Sequence, residues 1–433
     1  MSVIVWGALG VAAMLVPESQ LVVSVLATAF GAWVFWTHGG HQITGAGLYS
    51  LSSAIFAGFA GIYHSIQYRP VDVFLPIAIA FWTHFGMWLF WQRSEGFPVI
   101  RAASPEVTGW GIWGGLALGG VGLVLQLADI GVSAHLILGG LGLLLVSLVL
   151  HRARGDNLTG RLVLAGLVVI VYWQTSFGGY GRLYLVALGL VALVLTSART
   201  DARRVKALTL LALGPVLWLF VRLREQLGLE RVGTEFDGLG SVVNPLRTFG
   251  DLIALGQVDR LPWGYGDTFL ATLLFWVPRA MWPSKPAGFG SELTVLLKPD
   301  LARFGHSMAA HSTGEWFYNF GWFGLVAMVP LLGLGLRWLD NGLREAASSP
   351  LLGRRNLLYL FAVVMLVANA PSLIWVGSFT FVARGVQQVA FPGLILWPFA
   401  SGRKDAGAAR PTAKGSRPSL PRTERVRRTQ GLR

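Results

Sequence analysis

Long apolar runs separated by short polar breaks set the rhythm of this chain. They lie at 3–16, 21–37, 48–66, 73–91, 111–128, 133–151, 162–178, 183–198, 207–222, 315–338, 356–378 and 385–400. An α-helix rises about 1.5 Å per residue, so about 20 apolar residues cross the ~30 Å hydrocarbon layer of a bilayer. Backbone N–H and C=O groups find no water there, so runs of this kind must form helices. The pattern predicts an all-α polytopic integral membrane protein of about twelve transmembrane helices. A further run, 268–282, is short and ends among Pro278, Arg279 and Pro283. It reads as an interfacial or re-entrant helix and not as a span.

Charge orients the spans. Arg152, Arg154 and Arg161, then Arg199, Arg203, Arg204 and Lys206, then Arg344, Arg354 and Arg355 fall in short breaks. Such breaks belong in the cytoplasm. The stretch 401–433 holds ten Lys or Arg and two acids. It reads as a disordered basic cytoplasmic tail near anionic lipid, and nucleic-acid binding is not expected. With twelve spans the N-terminus is also cytoplasmic, and 1–400 forms the membrane domain. Parity then forces 223–314 outside as one large external loop. Its eight cations and nine acids contrast with the basic breaks.

Composition agrees. Only 13% of residues are charged, against about 25% in soluble proteins. There is no cysteine, so disulfides and thiolate metal sites are excluded. His38 and His41 are the only i, i+3 histidine pair, and no metal or other cofactor is expected. The first run has no basic leader and no small-residue cleavage site, and it reads as a retained span. A P-loop and a convincing inverted repeat are both missing from the pattern.

Three segments carry candidate chemistry. GGYGR at 178–182 forms an external turn with Tyr180 and Arg182 at the hydrocarbon edge. An ionisable group at that depth is costly and points to function. WVPRAMWPSKP at 276–286 sets Arg279 and Lys285 among prolines that fix the backbone, with Trp276 and Trp282 able to anchor at the interface or stack on a sugar. A guanidinium fork suits phosphate oxygens, and an ammonium adds a compact charge. HSTGEWFYNFGWFG at 311–324 offers His311 and Glu315 as candidate bases, with Asn319 one turn beyond Glu315. Glu315 could equally serve its own helix N-terminus. Arg384 and Arg222, at the external ends of two spans, extend a basic funnel for an anionic headgroup. Arg279 and Gly290 fit an R-x10-G spacing, but with 55 glycines in 433 residues such matches arise by chance.

GGYGR, PRAMWPSKP and TGEWFYNFGWFG in this order resemble the Wzy-type oligosaccharide repeat unit polymerases, or O-antigen polymerases, over about 160–400. The resemblance implies an all-helical fold like the C-type membrane glycosyltransferases, in the cytoplasmic membrane. It implies polymerisation of undecaprenyl-pyrophosphate-linked oligosaccharides at the outer face, without metal, amid membrane lipids, and leaves open whether a chain-length regulator is a partner. By motif match Arg182 and Arg279 would be its arginines, with Lys285 nearby. Two rivals remain open: an O-antigen ligase-like transfer to a final acceptor, using His306 or His311, and a transporter of lipid-linked glycan with no chemistry. The rarity of charges inside the runs speaks against the transporter.

Overall fold

In the computed structural model the described residues are 2–68, 70–91, 97–100, 103–128, 130, 132–151, 166–168, 170, 182–199, 203–226, 239–277, 280–303, 306–348 and 353–400. Among them every regular element is helical. Eight helices are long and apolar enough to cross a membrane. The protein is thus a polytopic, all-helical membrane protein.

The chain begins with α1 (Ser2–Met14) and α2 (Ser19–Thr37). The next span, Gly45–Ile66, is α3 (Gly45–Ser53), a π-helical segment Ala54–Phe59, and α4 (Ala60–Ile66). Then come α5 (Phe74–Trp91), α6 (Pro105–Leu127), α7 (Ser133–Leu150), α8 (Arg182–Arg199) and α9 (Arg204–Gln226). The predicted run 162–178 and the tail 401–433 lie almost wholly or wholly outside the described residues. Local signals explain several starts. Ser104 caps α6 by accepting from the Val107 N–H, with Pro105 at the first helical position. Thr44 caps α3 through the Gly47 N–H.

The predicted loop 223–314 contains α10 (Gly240–Gln257), α11 (Asp267–Leu273), α12 (Phe289–Leu297) and the short α13 (Pro299–Ala302). Its described residues form a packed layer and not a free loop. Phe249, Leu252, Phe289, Leu293 and Phe317 form a second core there, and α10 lies against α4, the π segment and α5. The run 268–282 is helical only to Leu273 and then turns. At about 10 Å, seven helical residues cannot cross a bilayer. Its Leu273, Trp276 and Met281 are exposed.

The last elements are α14 (His311–Ser348), α15 (Arg354–Ala368), α16 (Ala370–Val376), α17 (Ser378–Thr380), a second π segment Phe381–Val386, and α18 (Gln387–Ala400). α14 is not straight. Gly321 adopts φ 60°, ψ −145°, a region open to glycine alone. A Cβ on Gly324 would lie 2.2 Å from the Trp316 carbonyl, so the chain folds back on itself there. Ser312 meets Tyr49 at 3.3 Å and Asp340 meets the Gly45 N–H at 2.6 Å, so both touch one turn of α3. In a straight helix those two partners would be about 42 Å apart. Residues 311–320 therefore form a short inner limb, and the chain after Gly321 is the long spanning limb.

The loops sort into two ends. At one end the Glu106 carboxylate pairs with Arg354 at 3.1 Å, Thr108 meets His151 at 2.8 Å, and Arg199 donates to the Val149 carbonyl. This is the basic end. At the opposite end Gln20 holds Ser65 and the Val71 carbonyl at 3.0 and 2.9 Å. The His64 ring meets the Val243 carbonyl at 3.1 Å, so α10 and the layer that follows sit at this second end.

Candidate functional site

A cleft of about 150 Å³ opens at the second end, lined by Gly288, Gly290, Ser291, Ser307, Phe379, Thr380 and Arg384. Its walls are the start of α12 and the start of the last span. Gly290 makes the close approach possible, since a Cβ there would stand 2.2 Å from the Ser307 hydroxyl. No side chain caps the α12 N-terminus, where the Ser291 and Glu292 N–H groups bond the Gly288 carbonyl at 2.9 and 3.2 Å, and the positive end of the helix dipole lies at the cleft. Glu292 in the first turn offsets part of that field. The guanidinium of Arg384 lies 5.2 Å from the Tyr184 ring centre. No carboxylate pairs with it among the described residues. Hydroxyls, a helix N-terminus and a guanidinium form a site suited to an anion.

Behind this cleft lies a buried knot. The Glu315 carboxylate is fully buried. It accepts from the Ser378 N–H at 2.6 Å and the Thr268 hydroxyl at 3.4 Å. The Ser378 hydroxyl and the Phe379 N–H bond it as well. Asn319 donates to the Thr268 oxygen at 2.7 Å and accepts from the Gly266 N–H at 3.0 Å. Gly377, at φ 93°, breaks the last two spans apart and leaves room for the carboxylate. Glu315 thus serves a helix N-terminus, as the sequence allowed, but that of the span Ser378–Ala400 and not its own.

The other predicted residues are scattered. Arg182 heads α8, two positions before Tyr184, which brings that helix start beside Arg384. The side chains of Arg182 and Arg222, and the whole of Tyr180 and Arg279, lie outside the described residues. Lys285 donates to the Phe275 and Val277 carbonyls at 2.9 and 3.0 Å, pinning the turn after α11. Trp282 is half-buried, with its indole N–H on the Ser284 hydroxyl at 3.0 Å. His311 sits at φ 59°, deep in the bundle at 1% exposure. Its ring meets the Phe56 carbonyl of the first π segment.

Sequence reasoning missed two features. Ser291, Ser307 and Thr380 carried no motif, since hydroxyls gather only through packing. The second feature is a charged cluster in the bundle toward the basic end. Lys206, 1% exposed, donates to the His38 carbonyl at 2.6 Å. Asp340 accepts from the His38 ring at 3.2 Å and from the N–H groups of Gly45 and Ala46 at 2.6 and 3.2 Å. These groups are buried in the bundle, although each stands within two residues of the end of a predicted run, at 37, 207 or 338. A larger cleft of about 590 Å³ has Glu18 and Asp72 in its lining. Among the described residues no three His, Asp or Glu gather as a metal site. In comparisons with known proteins, no family model, no curated protein and no solved structure matches this chain.

Proposed function

We propose that this chain polymerises undecaprenyl-pyrophosphate-linked oligosaccharide repeat units at the outer face of the cytoplasmic membrane. One observation carries the reading: Arg384 and the uncapped N-terminus of α12 share a small donor-lined cleft at the end of the bundle away from the basic loops. On this reading there are twelve spans, both termini are cytoplasmic, and the 223–314 layer faces outward with the short α11 segment at the lipid interface.

The chemistry follows from charge. Outside the cytoplasm the donor must carry its own leaving group. The bond from the anomeric carbon to the pyrophosphate oxygen breaks with its electron pair going to that oxygen, the acceptor hydroxyl oxygen bonds that carbon, and the hydroxyl proton passes to the departing pyrophosphate or to water. Negative charge grows on the departing pyrophosphate. Donors fixed before the reaction stabilise that growing charge most in the transition state. Arg384 is the described cation in that position. Arg182 and Arg279 are its motif-matched companions.

Purified protein given two lipid-linked oligosaccharides should build a ladder of longer chains. Arg384→Ala should cut the rate about 100-fold, the usual cost of one such donor, while the protein still inserts. A wild-type protein that never joins two units overturns the reading. A second reading, transport of lipid-linked glycan, is favoured by the buried Lys206, His38 and Asp340 cluster, because intramembrane charges often mark a pathway. Movement of labelled lipid-linked glycan across a liposome membrane without elongation would select it.

A further inference from the structure

We propose that Glu315 is a positioning residue, which holds one wall of the cleft, the start of the last span, in register with the start of α11 and the inner limb of α14 through its acceptor oxygens, and performs no proton transfer. This rests on the polymerase reading of the site. Both oxygens are already engaged: one takes the Ser378 N–H at 2.6 Å, the other the Thr268 hydroxyl at 3.4 Å. The group is fully buried, and a Cβ on Gly377 would lie 2.6 Å from it, so it is packed directly on backbone. An acceptor sugar hydroxyl has no approach to it.

What the carboxylate does fix is geometry. It caps the N-terminus of the span that carries Arg384 less than two turns later. Through Thr268 and Asn319 it also holds Gly266 and the start of α11, the segment that leads toward 276–286. Its own inner limb of α14 is the third body in the joint. Glutamine has the same shape and keeps one acceptor oxygen for Ser378, while its amide can donate to the Thr268 oxygen. Alanine leaves the span start, Thr268 and the packed backbone without a partner.

The test compares Glu315→Gln with Glu315→Ala in the full chain. Elongation of a defined lipid-linked oligosaccharide should fall at least about tenfold in Glu315→Ala and return to within about threefold of wild type in Glu315→Gln. The pH profile of Glu315→Gln should match that of wild type. A Glu315→Gln protein that inserts normally yet is as inactive as Glu315→Ala, or that loses one limb of the pH profile, overturns the proposal, as does full activity in Glu315→Ala. If the alanine protein does not insert, Glu315→Gln decides alone by the same criteria.

A second readout needs no activity. The chain has no cysteine, so Ala383→Cys places a single thiol in the cleft wall. Its maleimide labelling rate should rise about tenfold on adding Glu315→Ala and stay level on adding Glu315→Gln, as expected for local opening of a released helix start. Equal rates in all three proteins overturn the proposal. A wild type that makes no polymer defeats the polymerase reading alone, and the labelling comparison still decides the role of Glu315.

Discussion

Glu315 and Asp340 solve the same problem in the same way. A carboxylate taken out of water costs several kcal/mol, and a helix N-terminus buried without acceptors is costly too. Each acid offsets both by meeting the N-terminus of a helix that is not its own: Glu315 at Ser378, Asp340 at Gly45 and Ala46. His38 and, at longer range, Lys206 balance Asp340 further. Asp340→Ala should therefore lower stability by about 3–5 kcal/mol, read as a clear drop in the unfolding temperature in detergent, with Asp340→Asn falling between. An unchanged melting curve would show that the buried cluster contributes nothing. Neither partnership was legible. Asp340 lies two residues past the apolar run that ends at 338, so it reads as a loop charge. Nothing in the spacing of Glu315 points to a partner 63 residues on.

At the scale of elements, hydropathy records the length of a run but not its direction. It located the eight long apolar helices well, because bilayer thickness and backbone satisfaction leave little freedom. It could not see that the segment 311–348 doubles back, since a reversal at one glycine leaves the apolar pattern intact. Gly321→Ala should cost about 1–3 kcal/mol, because φ 60° with ψ −145° strains any residue with a Cβ. The measurable result is a lower unfolding temperature, together with faster labelling of a thiol placed at Ser312, at the buried start of the inner limb. No change in either would mean that the reversal tolerates a side chain. The balanced charges of 223–314 set it apart from the basic loops in the sequence, but its second core was not legible. Phe249, Phe289 and Phe317 come together from segments tens of residues apart.

For the molecule as a whole, the two ends differ in chemistry: Arg199, Arg344, Arg354 and Arg355 gather at one, and the donor-lined cleft with its packed layer at the other. In intact cells a membrane-impermeant maleimide should label Ser291→Cys, and should reach Glu345→Cys only after permeabilisation. The reverse pattern would invert the topology and remove the cleft from the outer face. Of the cleft lining only Arg384 was legible, because the cleft depends on which helix starts face one another. The bond between Asp340 and Gly45 spans 295 residues of sequence. At about 5–20 residues per second of translation, the amide groups of Gly45 and Ala46 wait roughly 15–60 s for their acceptor to be synthesised. Over that interval the early spans are a half-built assembly, open to proteases and dependent on insertion factors, so a stalled or truncated chain that ends before Asp340 should be cleared from the cell and not accumulate.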